Sequence, residues 1–163
     1  KPALPIQLLV LGRDRTSYYR RLAQRLGISH RVAFAGSVSP PDPCFYASDV
    51  LILPTHYDPL ANVTLEALAA GLPVITTRQN GGSELLHHGE SGWVLGSPSE
   101  VHAMASHLSS LQDPVRLAAM RSAACRVAES HSLASKLAEV ESVLQQVADY
   151  RRTSPPPSGP SRC

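Results

Sequence analysis

Two carboxylate side chains, Asp58 and Glu66, lie eight positions apart on either side of the start of a predicted helix. That helix is expected to begin at Ala61 or Asn62, and its first amide groups have no acceptor within the helix. Helical side chains lean toward the N-terminus, so Glu66, one turn in, points back toward those amides. Free amides and the helix dipole favour an anion. The spacing therefore predicts a site for an anionic ligand, and a diphosphate fits it.

Glycine-containing or polar loops also follow the predicted strands nearby. They comprise residues 12–14, 36–38, 55–59 and 78–82. In an open parallel sheet, ligands bind in the crevice beyond the carboxyl ends of the strands, where such loops meet helix N-termini. Gly81 and Gly82 either allow a ligand to approach the backbone closely or form a simple turn. These loops predict that one edge of the sheet is the site.

The elements that must position these loops alternate between strands and helices. Apolar runs predict strands over residues 6–11, 31–35, 50–53, 73–77 and 93–95. Helical spacing predicts helices over residues 17–26, 43–48, 61–70, 83–88 and 99–111, with helical chain from there to about residue 152. The first predicted strand is apolar except at Gln7, so we expect it to be buried on both faces. We expect Ser83 to cap the helix that starts there.

This alternation requires right-handed crossovers between parallel strands. It predicts an α/β fold, specifically a Rossmann-like doubly wound parallel sheet with helices on both faces. We expect residues 1–152 to form one domain. Residues 153–163 are rich in proline, serine and glycine and are expected to be disordered.

Composition narrows the classes of function. The formal net charge of the 163 residues is +2 and the basic residues are scattered, which argues against nucleic acid as a partner. The three cysteines show no paired spacing, so neither a disulfide framework nor a zinc site is expected. No apolar stretch approaches the roughly 20 residues of a membrane span. We expect a cytoplasmic protein, with peripheral contact to the inner membrane surface left open.

Residues 58–77, DPLANVTLEALAAGLPVITT, resemble the signature of the large retaining GT-B glycosyltransferases of family 4, the "glycosyl transferases group 1" type. The family pattern is an acid, seven residues, Glu-Ala, a helix of small residues and Gly-Leu-Pro-Val. Residues 32–36, 47–54 and 81–92 resemble three further motifs of the family. The resemblance covers roughly residues 4–150 and implies the C-terminal half of a GT-B fold. The sequence starts at Lys1 and enters a strand at once, so we expect a domain cut from a longer polypeptide.

The resemblance also implies roles for individual residues. Glu66 corresponds to the acid that binds the ribose hydroxyls of the nucleotide. Asp58 corresponds to the catalytic-side acid beside the transferred sugar, where the family more often has Glu. The diphosphate would be bound by the backbone amides of Leu60, Ala61, Asn62 and Val63. The base would lie near Gly36, Ser37 and Val38.

The function implied is donor binding in a retaining glycosyltransferase that moves a hexose-type sugar in polysaccharide, lipopolysaccharide or glycolipid synthesis. The substrate would be a UDP-, GDP- or ADP-sugar, with no cofactor and no metal site. The N-terminal acceptor domain of the same polypeptide would be the partner, so this chain is expected to be inactive alone. Two alternatives stay open, a non-catalytic nucleotide-sugar-binding module and a sugar-nucleotide epimerase on the same fold.

The last predicted helix has an apolar face of its own. The residues on that face are Leu133, Leu137, Val140, Leu144 and Val147. In the family that this chain resembles, a terminal helix crosses back onto the N-terminal domain. In this chain we expect the face to be exposed, with self-association or fraying as the result.

Overall fold

The computed structural model describes residues 5–13, 17–59 and 62–153. Its strands are β1 (Leu8–Leu11), β2 (Val32–Gly36), β3 (Leu51–Leu53), β4 (Val74–Thr77) and β5 (Gly92–Leu95). Its helices are α1 (Tyr18–Arg25), α2 (Asp42–Tyr46), α3 (Asn62–Ala69), α4 (Val101–Ser110), α5 (Pro114–Ser130) and α6 (Leu133–Thr153). Two 3₁₀ turns, Ser29–Arg31 and Gly81–Leu85, precede β2 and β5.

The strand pairings among the described residues are all parallel. β1 pairs with β2, and β4 lies between β3 and β5, with Ile75 opposite both Ile52 and Trp93. Parallel neighbours need crossovers, which α1 supplies between β1 and β2 and α3 supplies between β3 and β4. The predicted α/β fold with parallel strands is confirmed. Its ladders form a two-stranded and a three-stranded sheet in the described chain.

Strand β4 lies at the centre of the core, and all of its residues are buried. Val74 packs with Ala67 and Leu68 of α3, whereas Ile75 packs with Leu111 and with Met120 of α5. Successive side chains of a strand point to opposite faces of the sheet. Helices therefore cover both faces of β4, as the run of β-branched residues after Gly71-Leu72-Pro73 predicts.

Strand β1 differs from its prediction. It begins at Leu8, and Leu8, Leu9 and Leu11 are 44%, 39% and 38% exposed, so the prediction of burial on both faces is wrong. β1 pairs only with β2 in the described chain, and of the residues of α1 only Ala23 is buried. Apolar character alone does not bury a strand, because burial also requires an element packed against each face.

The segment after β4 was also predicted incorrectly. Instead of a helix over residues 83–88 that Ser83 caps, the chain forms the 3₁₀ turn Gly81–Leu85, capped by Asn80. The Asn80 side chain accepts a hydrogen bond from Gly82 N, which is the usual function of an N-cap residue. The cap therefore lies three residues earlier than the sequence pattern suggested.

The helical chain predicted beyond residue 111 is interrupted twice, between α4 and α5 and at His131 and Ser132. The ring nitrogen Nδ1 of His131 lies 2.9 Å from the carbonyl oxygen of Val127, within the last turn of α5. Thr153 ends α6, and the rest of the predicted disordered tail lies outside the described residues. Cys44 and Cys125 are free. Among the described helices, none has the length and apolar character needed to cross a membrane.

Candidate functional site

Helix α3 presents a buried face to the core and an exposed face at its start. Thr64, Ala67 and Leu68 are buried, whereas Asn62 and Glu66 are exposed. Asn62 and Glu66 are four residues apart and so share one side of the helix. Glu66 is therefore accessible to solvent on the same side of α3 as the first helical residue.

Asp58 is half-buried, and backbone hydrogen bonds hold it against the loop that follows β4. Asp58 N donates to the carbonyl of Gln79 (3.1 Å), and Gly81 N donates to the carbonyl of Asp58 (2.8 Å). These two bonds form a short parallel bridge between Asp58 and Asn80. We call this arrangement the Asp58 clamp. It joins residues 55–59 to residues 78–82, two of the loops expected to meet at the site.

Asn80, between the two arms of the clamp, is fully buried. Its Oδ1 accepts from Gly82 N (2.9 Å), and its Nδ2 donates to Thr76 Oγ1 (2.9 Å) and to Thr64 Oγ1 (3.4 Å). Thr76 Oγ1 donates in turn to the carbonyl of Leu53 (2.7 Å). We call Asn80, Thr64, Thr76 and Gly82 the Asn80 network. The network connects β3, β4, the 3₁₀ turn and α3.

Gly82 shows how closely the 3₁₀ turn approaches α3. A Cβ added at this position would lie 2.9 Å from both Cβ and Oγ1 of Thr64, a distance at which atoms overlap. Only glycine leaves room for this approach. The amides of Gly81 and Gly82 both donate within the protein, to Asp58 and to Asn80. Their role in the structure is therefore to bring loop and helix together.

Gly36, Ser37 and Val38 lie at the carboxyl end of the β1–β2 ladder. Gly12 N donates to the carbonyl of Gly36 (2.8 Å), so the loops after β1 and β2 meet. Gly36 has φ = 72°, a left-handed conformation that favours glycine. Ser37 and Val38 are exposed. The base loop predicted from the resemblance thus follows the two-stranded β1–β2 sheet, whereas Asp58 follows β3 of the three-stranded sheet.

The predicted diphosphate contacts divide into two groups. Asn62 and Val63 form the start of α3, where Asn62 is exposed and Val63 is half-buried against the core. Leu60 and Ala61 lie outside the described residues. Within the described chain, no three His, Cys, Asp or Glu side chains are placed to hold a metal ion.

The Asn80 network is the part of this region that sequence reasoning missed. The sequence places Asn80 in the loop of residues 78–82 but predicts no role for its side chain or for those of Thr64 and Thr76. The available signal was the Asn-Gly-Gly sequence, since Asn is a favoured cap and the glycines permit a tight turn. The partners of Asn80 were not predictable in this way, because Thr64 lies 16 residues away in the sequence.

The family model for "Glycosyl transferases group 1" matches residues 1–113 of this chain. Among curated proteins, the lipopolysaccharide core biosynthesis glycosyltransferase LpsE of Rhizobium meliloti is 38% identical over 91 residues. That alignment covers 56% of this chain and 26% of LpsE. The chain therefore spans about a quarter of this relative's length.

Solved structures show the same fold. The crystal structure of WaaG, a glycosyltransferase involved in lipopolysaccharide biosynthesis, matches with a TM-score of 0.69 and 27% identity, covering 76% of this chain and 34% of WaaG. The structure of HepE from Anabaena in complex with UDP-glucose matches with a TM-score of 0.68 and 24% identity, covering 91% of this chain and 41% of HepE. The match to the family model, which covers more than half of the chain, shows that the chain belongs to the glycosyl transferases group 1 family.

Proposed function

We propose that residues 1–152 are the donor-binding domain of a retaining glycosyltransferase. The donor is a nucleotide-diphospho-sugar, and the transferred group is a hexose-type sugar that goes to an acceptor in polysaccharide, lipopolysaccharide or glycolipid synthesis. The acceptor is held by an N-terminal domain of the same polypeptide. Sugar transfer therefore requires the longer protein.

The observation that supports this proposal is that Glu66 is exposed on α3 while the backbone of Asp58 is held in the loop before that helix. Glu66 is exposed on the face that includes Asn62, and its carboxylate makes no hydrogen bond or ion pair with other described residues. Asp58 is held by the clamp in the loop that leads into the same helix. In the proposed site, a ligand at the helix start lies between Asp58 and Glu66.

Each part of the donor has a chemically suitable counterpart at this position. The Glu66 carboxylate accepts hydrogen bonds from the ribose hydroxyls, and the amides of Leu60, Ala61, Asn62 and Val63 receive the diphosphate. Asp58 lies beside the sugar, and residues 36–38 lie near the base. The complex of Anabaena HepE with UDP-glucose supports a nucleotide sugar as the ligand, since that protein has the same fold.

In the proposed reaction, this chain acts through orientation and electrostatics. Negative charge develops on the diphosphate as the bond to the sugar breaks, and helix-start amides stabilise that charge. Asp58 and Glu66 hold the sugar and the ribose in place, so that the anomeric carbon faces the acceptor. No metal ligand is assigned to this chain.

The proposal is tested by calorimetric titration of the chain with UDP, GDP and ADP, and of its Glu66→Gln variant with the nucleotide that binds. Glutamine keeps the length of the side chain but removes its charge. A hydrogen bond to a charged group contributes about 1.5–3 kcal/mol, so we expect affinity to fall about ten- to a hundredfold. Glu129→Gln, an exposed change on α5, is the matched control and should leave affinity unchanged.

A second variant distinguishes the proposed role of Asp58 from that of Glu66. Asp58→Asn should weaken binding of the nucleotide sugar while leaving binding of the bare nucleotide diphosphate nearly unchanged, because the sugar is the part of the donor that Asp58 is proposed to contact. Failure of all three nucleotides to saturate the chain would reject the donor site. Donor binding without sugar transfer in the longer protein would favour the non-catalytic module.

A further inference from the structure

The side-chain amide of Asn80 is hydrogen-bonded at both its oxygen and its nitrogen within the candidate site. Asn80 is fully buried, and these hydrogen bonds lie inside the Asn80 network. An amide has one acceptor oxygen and two N–H donors. Here the side-chain oxygen accepts a hydrogen bond from Gly82 N. The side-chain nitrogen donates to Thr76 Oγ1 at 2.9 Å and to Thr64 Oγ1 at 3.4 Å. The side chain is therefore fixed in orientation from three sides.

The backbone on either side of Asn80 is what holds Asp58. The carbonyl of Gln79 accepts from Asp58 N, and Gly81 N donates to the carbonyl of Asp58. Both arms of the clamp are peptide groups adjacent to Asn80 in the chain. The clamp that holds Asp58 is therefore connected, through the main chain of Asn80, to the hydrogen-bonded amide of its side chain.

The network also sets the distance between the 3₁₀ turn and the first turns of α3. The backbone amide of Gly82 donates to the side chain of Asn80, and Gly82 packs directly on Thr64. The hydroxyl of Thr76 donates a hydrogen bond to the carbonyl of Leu53, at the end of β3. Four elements that converge on the site are thus linked through one side chain.

We infer that Asn80 is a positioning residue, whose buried amide sets the position of Asp58 and of residues 81–82 against the first turns of α3. The effect of this positioning on ligand binding rests on the proposed function. Since Asp58 is the group proposed to lie beside the sugar, loss of the amide should affect the sugar end of the donor most.

The test uses three variants of the chain. Asn80→Ala removes the amide, and Thr76→Val removes the acceptor at 2.9 Å while keeping a β-branched side chain. Thr76→Val is the milder change and remains informative should Asn80→Ala fold poorly. Met120→Ala is the control, because Met120 is buried in the core between β4, β5, α4 and α5, away from the network.

Two quantities are measured on each folded variant: amide hydrogen exchange at Asp58 and Gly81 by NMR, and the ratio of affinities for UDP-glucose and UDP. In Asn80→Ala and Thr76→Val, we expect exchange at both amides to accelerate about tenfold relative to Met120→Ala. We also expect affinity for UDP-glucose to fall about tenfold more than affinity for UDP, as in Asp58→Asn.

Unchanged exchange at Asp58 and Gly81 in both network variants would overturn the inference, even with donor binding and its dependence on Glu66 intact. An equal effect of Met120→Ala on the affinity ratio would overturn it as well, because a general loss of stability would then explain the result. Faster exchange in a chain that binds neither ligand would support the positioning of Asp58 by Asn80 and would reject the donor site.

Discussion

Asp58 and Glu66 are only eight positions apart, yet the structure gives them different surroundings. Glu66 extends from the exposed face of a helix that is otherwise packed on the core, so its carboxylate is open to a ligand. Asp58 is half-buried, and its backbone is bonded on both sides to the loop after β4. A carboxylate on a fixed backbone is suited to orientation, which is the role proposed for Asp58.

His107 is a titratable residue that packs against the core of the described chain. Its ring stacks on the buried Trp93, with centroids 4.6 Å apart and planes 17° from parallel. Burial lowers the pKa of His107 below its ordinary value of 6.5, and the nearby His88 and Arg116 lower it further. The guanidinium of Arg116 lies over the ring of Trp93, 5.5 Å from its centroid.

A lowered pKa in the folded state means that unfolding takes up a proton below pH 6.5. We therefore expect the free energy of unfolding to be constant, as far as His107 is concerned, above pH 6.5 and to decrease as the pH falls below that value. Urea unfolding between about pH 5 and 8 measures this, with the fluorescence of Trp93, the only tryptophan, as the signal.

In His107→Gln this part of the pH dependence should disappear, because the side chain no longer titrates. His102→Gln, which changes an exposed histidine on the same helix, should leave it in place. A pH dependence that survives the first substitution and vanishes with the second would contradict the assignment to His107.

At the scale of elements, α5 shows how local signals determine where a helix begins. Asp113 accepts a hydrogen bond from Val115 N (2.9 Å), and Pro114 occupies the first helical position. Asp as cap and Pro at the first position are both favoured at helix starts. The helix buries Met120, Ala123, Ala124 and Val127 against the core.

Asp113→Ala should lower the free energy of unfolding by about 1 kcal/mol, since it leaves an amide at the helix start without its acceptor. Asp113→Asn keeps an acceptor oxygen at the same position and should cost only a few tenths of that amount. Urea unfolding curves of the unmodified chain and the two variants measure these differences in the free energy of unfolding. Equal loss in both variants would indicate that charge, rather than the cap, stabilises the start of α5.

Elements with strong local patterns were predicted well, and those that depend on distant neighbours were not. Strand β4 (Val74–Thr77) and helix α3 (Asn62–Ala69) occur close to their predicted positions. The 3₁₀ turn Gly81–Leu85 was predicted as a helix, because its shape depends on the contact of Gly82 with Thr64. The break at His131 was missed for want of a Gly or Pro to mark it.

At the scale of the whole molecule, exposed apolar residues concentrate near both ends of the described chain. β1 exposes three leucines, and on α6 Leu137 and Leu144 are 59% and 64% exposed. Leu137, Val140, Leu144 and Val147 follow a spacing of three and four residues, which places them on one seam of the helix. Exposed apolar surface of this kind favours association.

We expect the chain to self-associate through α6 in a concentration-dependent manner, since pairing of two such seams removes apolar side chains from water. Sedimentation velocity at several concentrations measures this. The double variant Leu137→Glu/Leu144→Glu should remain monomeric at concentrations where the unmodified chain associates. Ala138→Glu adds a charge next to the seam residue Leu137 but off the seam, and should leave association nearly unchanged. A chain that is monomeric throughout, with α6 fully helical, would contradict this prediction.

By itself, the sequence determined the α/β class, the order of the five strands and the family signature around Glu66. Those features depend on periodicity, on glycine and proline and on spacing along a short stretch of chain. Only the tertiary structure decided that β1 is exposed, that Asp58 is clamped and that Asn80 joins β4 to α3. The physical reason is distance along the chain: each of these depends on groups brought together by packing, whose identity no local pattern of residues specifies.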